Sequence, residues 1–392
     1  VGSLYILDEP SIGLHDRDTV KLIDILKKLK KIGNSIIIIE HDKKIIQSAD
    51  YIIDMGPLAG SLGGEIIYSG KLKTNYPHSL TLNYINKNIT IQKTNSYRKL
   101  VKHIKIKGAH ANNLKNIDVK IPLNAFTAIT GVSGSGKTTL LKDVLLPAIK
   151  RKLKDYNYIK PKCIGVDINL NDCENVEFLN YNSIKKYSKS IPATYINAFD
   201  SIRELFSSQN LAKNYNITAK HFSFNVKSGR CENCKGLGYV TVEMQFLADM
   251  EIKCETCEGH RYQDDNLNIL FADKNISDIL NLTIEENYHF FQENKQFKIA
   301  KKLQPLIKVG LGYLKLGQPV STLSSGEAQR LKLASFLHNN NTKSVLIFDE
   351  PTTGLHFHDI NILFQAFQEL IQTGNTVIVI EHNLDIIKNA DW

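Results

Sequence analysis

Shifted by 341 positions, residues 4–51 fall onto residues 345–392 without a gap, and 20 of the 48 pairs are identical. The identities cluster. ILDEPSIGLH answers IFDEPTTGLH, a GN precedes an apolar run in both copies, EH closes that run, and an AD follows near the end of each. Two copies mark a duplicated structural unit rather than a solenoid, which needs at least three repeats. Each copy reads as an apolar strand ending in Asp-Glu, a loop, and an amphipathic helix (VKLIDILKKLKK in the first). A second apolar strand follows, SIIIIEH or TVIVIEH. Continuous apolar strands joined through a helix predict a parallel sheet covered on both faces.

Upstream of the second copy, GVSGSGKTT at 131–139 fits G-x-x-x-x-G-K-[ST], with AFTAIT before it and TTLLKDVLLPAI after it. A Gly/Ser-rich linker would share the composition, but not a strand on one side and a helix on the other. In such a loop Gly131, Gly134, Ser135 and Gly136 turn backbone amides toward phosphates, and the helix opening at Thr138 and Thr139 adds its dipole. Lys137 reaches the β- and γ-phosphates of ATP, and Thr138 ligates Mg²⁺. The first copy has no such loop. The chain opens on Val1 rather than Met, so we expect part of the N-terminus, with that loop, to be missing.

The acidic strands supply the remaining chemistry. Asp349 is placed to hold Mg²⁺, Glu350 to orient or deprotonate the attacking water, and His382 to contact the γ-phosphate. Asp8, Glu9 and His41 are their counterparts in the first copy. LSSGEAQRLKLA at 323–334 resembles the signature motif of ABC ATPases, in which Ser324, Ser325 and Gly326 would open a helix toward a γ-phosphate on another module. A plain helix cap, Ser324 with Glu327, reads the same in isolation.

Ser324 follows Lys137 by 187 positions, and that interval holds CENC at 231–234 and CETC at 254–257. Two C-x-x-C pairs 19 residues apart predict a closed structural Zn²⁺ site on Cys231, Cys234, Cys254 and Cys257. YVTVEMQF between them alternates like a half-buried strand, predicting a metal-stapled hairpin. Cys163 and Cys173 read as ordinary thiols. With no leader in view, these cysteines point to metal rather than disulfides and to a cytoplasmic location. No run of 18 apolar residues occurs, which argues against a membrane span.

The formal charge is +9, which favours an anionic partner without naming one. The zinc segment does not carry it: residues 227–261 hold five Lys or Arg against six Asp or Glu. KRKLKDYNYIKPK at 150–162 and SIKKYSKS at 183–190 do. Such clusters neutralise phosphates without reading sequence, though a solvated loop explains the first equally well.

Together LDEPSIGLH, GAHANNLKNIDVKIP, GVSGSGKTT, PATY with FDSIRELF, FSFNVKSGRCENCKGLG, CETCEGHRY, VGLGYLKLGQPVSTLSSGEAQRLKLAS and FDEPTTGLH resemble the UvrA family over nearly the whole chain. The resemblance implies an α/β fold: an ABC-type P-loop ATPase with a parallel-rich sheet, a helical signature subdomain and an inserted zinc module. It implies the end of a first ATPase module at 1–70, a linker at 71–100 and a second module at 101–392. Within the second, the P-loop core would be 101–150, the signature subdomain 151–322 with zinc at about 228–262, and the signature motif and acidic-strand core 323–392.

The implied function is ATP-dependent recognition of damaged double-stranded DNA in nucleotide excision repair, by a homodimer that loads UvrB. The implied cofactors are ATP, Mg²⁺ and Zn²⁺. Lesions would be sensed through shape and deformability, with Lys185, Lys186 and Lys189 as candidate phosphate contacts. Two positions depart from the family pattern. Ser325 stands where it has Gly, and Tyr181 where its Q-loop Gln falls. They leave open a UvrA-like paralogue serving drug self-resistance or another non-repair role. An ABC transporter subunit would not carry the zinc insert.

Overall fold

The computed structural model describes residues 2–11, 14, 16–57, 60, 63–73, 76–89, 98–179, 189–242, 244, 250–338 and 343–392. They form two compact units, one of residues 1–184 with 339–392 and one of 185–338.

In the first unit, four parallel strands lie in the order Phe126–Ile129, Thr376–Ile380, Ser344–Asp349, Asn175–Leu179. The two central strands are the second copy's, and every residue from Ser344 to Phe348 and from Thr376 to Ile380 is buried. Their unbroken apolar sequence follows from that place, because period-2 alternation sends side chains to both faces and both faces are covered. On one face Val345, Ile347, Ile378 and Ile380 join Leu141, Val144, Leu145 and Ile149 of the chain after the phosphate loop. Ile104, Ile106 and Ile121 belong to the same core; they come from a three-stranded antiparallel sheet of Ile117–Pro122, His103–Ala109 and Gly165–Asp167. On the other face Phe348 and Phe126 meet Phe367 of the helix Phe357–Gln372, with ring centroids 4.8 and 5.7 Å apart.

The first copy repeats the local fold. Leu4–Asp8 pairs in parallel with Ser35–Ile39, and the helix Asp16–Lys31 joins them. The expected cover on both faces is not found. Ile6, Ile37 and Ile39 are 66%, 53% and 53% exposed. Among the described residues this pair is a two-stranded sheet; Leu7, Ile36 and Ile38 are half-buried, and Ile6, Ile37 and Ile39, on the alternate positions, stay open. An antiparallel hairpin (Ile52–Gly56 with Glu65–Gly70) and a short helix (Leu80–Ile85) follow.

The second unit is mostly helical. Aromatic rings build part of its core: Phe199 meets Phe224, Phe206 meets Phe222, and Phe224 meets Tyr262. The expected hairpin is present, Tyr239–Val242 pairing antiparallel with Met250–Lys253. It is not the half-buried strand the alternation predicts, since Val240 and Val242 are both about 40% exposed; a two-stranded ribbon has no core beneath it to bury them.

Candidate functional site

The phosphate loop sits between a buried strand and a helix because each flank is apolar where it meets the sheet. Gly131, Gly134 and Gly136 have φ of +148°, +75° and +101°, a region open to Gly and costly for other residues. A Cβ on Gly136 would also lie 2.9 Å from Asn113 Oδ1 and Leu114 Cδ2, two side-chain ends that would have to shift. The Lys137 ammonium donates to the Gly131 and Val132 carbonyls, 2.9 Å each, and so stands across the mouth of the loop. Thr139 and Asp143 lie 3.3 Å from the Asn112 amide. Asn113 donates to the Gly134 carbonyl at 2.9 Å. These two asparagines have no role in the sequence reading. They come from the turn between antiparallel strands and brace the loop from outside its own motif.

Asp349 ends its strand among charges of both signs. Burial, and next the Glu350 charge, push its carboxyl above the usual aspartate range, while Lys142 and Lys137 pull it back. Glu350 has φ of +48° and Glu9, its counterpart, +44°. A non-Gly residue in the left-handed region is uncommon, and its recurrence at matched positions marks stored strain at a functional turn. His382 Nε2 lies 3.4 Å from Glu350 Oε1, and His41 Nε2 lies 3.6 Å from Glu9 Oε1. Each copy therefore builds the same carboxylate–histidine pair, with Asp8 preceding Glu9 as Asp349 precedes Glu350. Such a set beside a phosphate cradle can bind a nucleotide's phosphates and orient a water toward the last of them. Mg²⁺ would be held there by Thr138 and Asp349 and would neutralise developing phosphate charge.

The two copies also touch. A Cβ on Gly354, itself at φ +69°, would fall 3.0 Å from Glu9 Oε2. Next in the same loop, His356 Nε2 lies 2.9 Å from Thr81 Oγ1. Its Nδ1 accepts from the His358 N–H, so Nε2 carries the proton and donates to Thr81. Thr81 in turn donates to Asp54 at 2.7 Å. The His41 and His356 rings meet edge to face at 6.0 Å.

In the second unit Ser325 opens the helix Ser325–His338 and Gly326 is buried in its first turn. The cap reading and the signature reading are compatible. Ser324 and Glu327 exchange bonds, N–H to Oε2 at 2.7 Å and N–H to Oγ at 3.3 Å, as a capping box does.

The four cysteines are all buried, with sulfurs within 4.8 Å of one another. Cys231 and Cys254 sulfurs are 4.0 Å apart, and Cys234 and Cys257 3.6 Å. A tetrahedron with Zn–S bonds of about 2.3 Å has edges of about 3.8 Å, so the donor set fits Zn²⁺. Gly238 N–H and the Asn233 amide point at Cys234 and Cys254 sulfurs, 3.3 and 3.5 Å away, the outer-shell bonds such a site uses. Burial pushes the Cys257 thiol up to about 12, while at Cys254 the same burial is outweighed by accepted hydrogen bonds, which hold the thiol down to about 6.

Lys185, Lys186 and Tyr181 lie outside the described residues; Lys189 is half-buried. In the 150–162 cluster the two leading cations are engaged at home. Lys150 bonds Asn175 at 3.1 Å and lies 3.5 Å from Glu177, while Arg151 donates to the Tyr158 carbonyl at 2.9 Å. Those contacts favour a structural reading of the pair over phosphate binding. Among the described residues no helix is long and apolar enough to cross a membrane.

Comparison with known proteins bears on this geometry. The UvrABC system protein A of Clostridium tetani is 48% identical over 400 aligned residues, covering 100% of this chain and 42% of the relative. That of Borreliella burgdorferi is 48% identical, again covering the whole chain and 41% of the relative. The chain is similar to UvrA over its whole length. It spans about two fifths of the length of those curated relatives. The crystal structure of UvrA2 from Deinococcus radiodurans superposes with a TM-score of 0.91 at 40% identity, covering 99% of this chain and 47% of that one. A family model described as "AAA domain, putative AbiEii toxin, Type IV TA system" matches residues 238–387. The fold is thus the UvrA-like ABC-type ATPase fold, with its parallel-rich sheet and a four-cysteine cluster in the other unit.

Proposed function

We propose that the chain is the nucleotide-hydrolysing, DNA-engaging part of a damage-recognition subunit of nucleotide excision repair. The observation that carries this is 48% identity to UvrABC system protein A along the entire chain. The paired carboxylates and histidines, set beside one complete phosphate loop, supply chemistry that agrees with it. In this reading residues 1–70 end a first ATPase module, 71–100 link it to a second, and 101–392 are that second module. Gly131, Gly134, Ser135, Gly136, Lys137, Thr138 and Thr139 bind ATP, Glu350 serves the attacking water and His382 contacts the γ-phosphate. Thr138 and Asp349 hold Mg²⁺, with Asp8 its counterpart in the first centre. Ser324, Ser325 and Gly326 reach a γ-phosphate on another module. The four cysteines hold one structural Zn²⁺.

The partners are damaged duplex DNA, UvrB and a second copy of the protein, and the location is the cytoplasm. Lys185, Lys186 and Lys189 contact phosphates rather than bases. The test is binding of the intact protein to two duplexes, one with a bulky adduct and one without, each with and without ATP. A preference for the adduct that nucleotide alters is expected. Equal binding to both duplexes would move the assignment to a UvrA-like protein outside repair.

A further inference from the structure

The glutamate before each strand-end histidine is shared by the two copies but carries no assigned chemistry, yet it makes the same three bonds in both. Glu381 is 2% exposed. Its Oε1 accepts from the Thr352 N–H at 3.0 Å, and its Oε2 from the His382 and Asn383 N–H groups at 3.0 and 3.1 Å. Glu40 does likewise: Oε1 from Ser11 at 2.9 Å, Oε2 from His41 and Asp42 at 2.9 and 3.0 Å. The partners differ in side chain (Ser11 against Thr352, Asp42 against Asn383), but the donors are backbone, so the pattern survives the substitutions.

A merely local turn would need only the two N–H groups that follow the glutamate. The third bond reaches back 29 residues, into the loop two places after Glu350. Glu350 N–H itself donates to the Ile380 carbonyl at 3.0 Å. The left-handed turn at Glu350 is therefore pinned on both sides to the two residues that precede His382. A carboxylate suits this because it offers two acceptor oxygens and no donor to set against an N–H. Burying it is costly, and burial indeed pushes the Glu381 carboxyl upward.

We propose that Glu381, and Glu40 in the first copy, are positioning residues that fix the carboxylate–histidine pair by tying its loop to its strand end. This rests on the reading of Glu350 and His382 as a hydrolytic pair. The experiment measures kcat and KM for ATP, nucleotide affinity and melting temperature of the intact protein carrying Glu381→Gln or Glu381→Asp. Glu381→Gln is also combined with Glu350→Gln.

Misplacing a reacting group by about 1 Å can cost about 100-fold. Glu381→Gln should accordingly lower second-centre kcat by about 10- to 100-fold and leave KM within about twofold. The double variant should hydrolyse no more slowly than Glu350→Gln alone. Unchanged kcat in folded Glu381→Gln protein would overturn the proposal. So would a further loss on top of Glu350→Gln, or a fall in affinity and stability that accounts for the rate. Absence of ATP hydrolysis in the unmodified intact protein would instead sink the reading beneath it.

Discussion

The two copies have the same strand register and opposite burial. Leu4 to Asp8 pair with Ser35 to Ile39 residue for residue as Val345 to Asp349 pair with Thr376 to Ile380. Yet Ile6 is 66% exposed where its counterpart Ile347 is 0% exposed, and Ile37 and Ile39 are 53% exposed where Ile378 and Ile380 are 0%. The functional turn is indifferent to this. Both copies keep the left-handed glutamate, the histidine within 3.6 Å of it and the three-bond glutamate before that histidine. Backbone bonds between neighbouring strand ends set the site's geometry, while the layers around the strands set its burial.

The largest expected effect lies outside both copies, at the four-cysteine cluster. One zinc per chain is expected by elemental analysis, and Cys257→Ser should lose it and lower the melting temperature sharply. Binding of structural zinc is worth about 10–16 kcal/mol in small zinc peptides. Full stability without zinc would refute the Cys₄ site.

Matched isoleucines come next. Ile347→Ala should cost about 2–5 kcal/mol in chemical denaturation, whereas Ile6→Ala should stay within about 0.5 kcal/mol, as exposed positions do. Equal costs would mean that the first copy's strands are as covered as the second's.

A smaller effect is expected at Asp349. Its carboxyl is raised above the ordinary 3.8, so the charged form is disfavoured in the fold. That penalty is absent below both pKa values and grows as pH rises from the unfolded value through the folded one. Asp349→Asn should therefore melt higher than the unmodified chain at neutral pH, with the difference vanishing near pH 3, while hydrolysis is lost. A lower melting temperature at neutral pH would show that Asp349 stabilises the fold instead.

What the sequence disclosed follows the same division. The phosphate loop, the Asp-Glu ends and the two C-x-x-C pairs are local, and each was legible because its chemistry needs contiguous residues at fixed spacing. Asn113 was not, and Glu381 was marked only by the matching EH of the two copies. Their partners are backbone groups 21 and 29 residues away, and nothing in an isolated Asn or Glu signals such a bond. Apolar alternation likewise stated which strands could be buried, but not whether a layer would arrive to bury them, as Ile6 and Val240 show.

Within residues 1–392 one phosphate loop is complete, built on Lys137, beside a second carboxylate–histidine pair without a loop of its own. Calorimetric titration of the 392-residue chain with MgATP tests that difference directly, alongside its Lys137→Ala variant. One site per chain, lost in the variant, is the predicted result. Binding that survives Lys137→Ala, or a stoichiometry of two per chain, would contradict it.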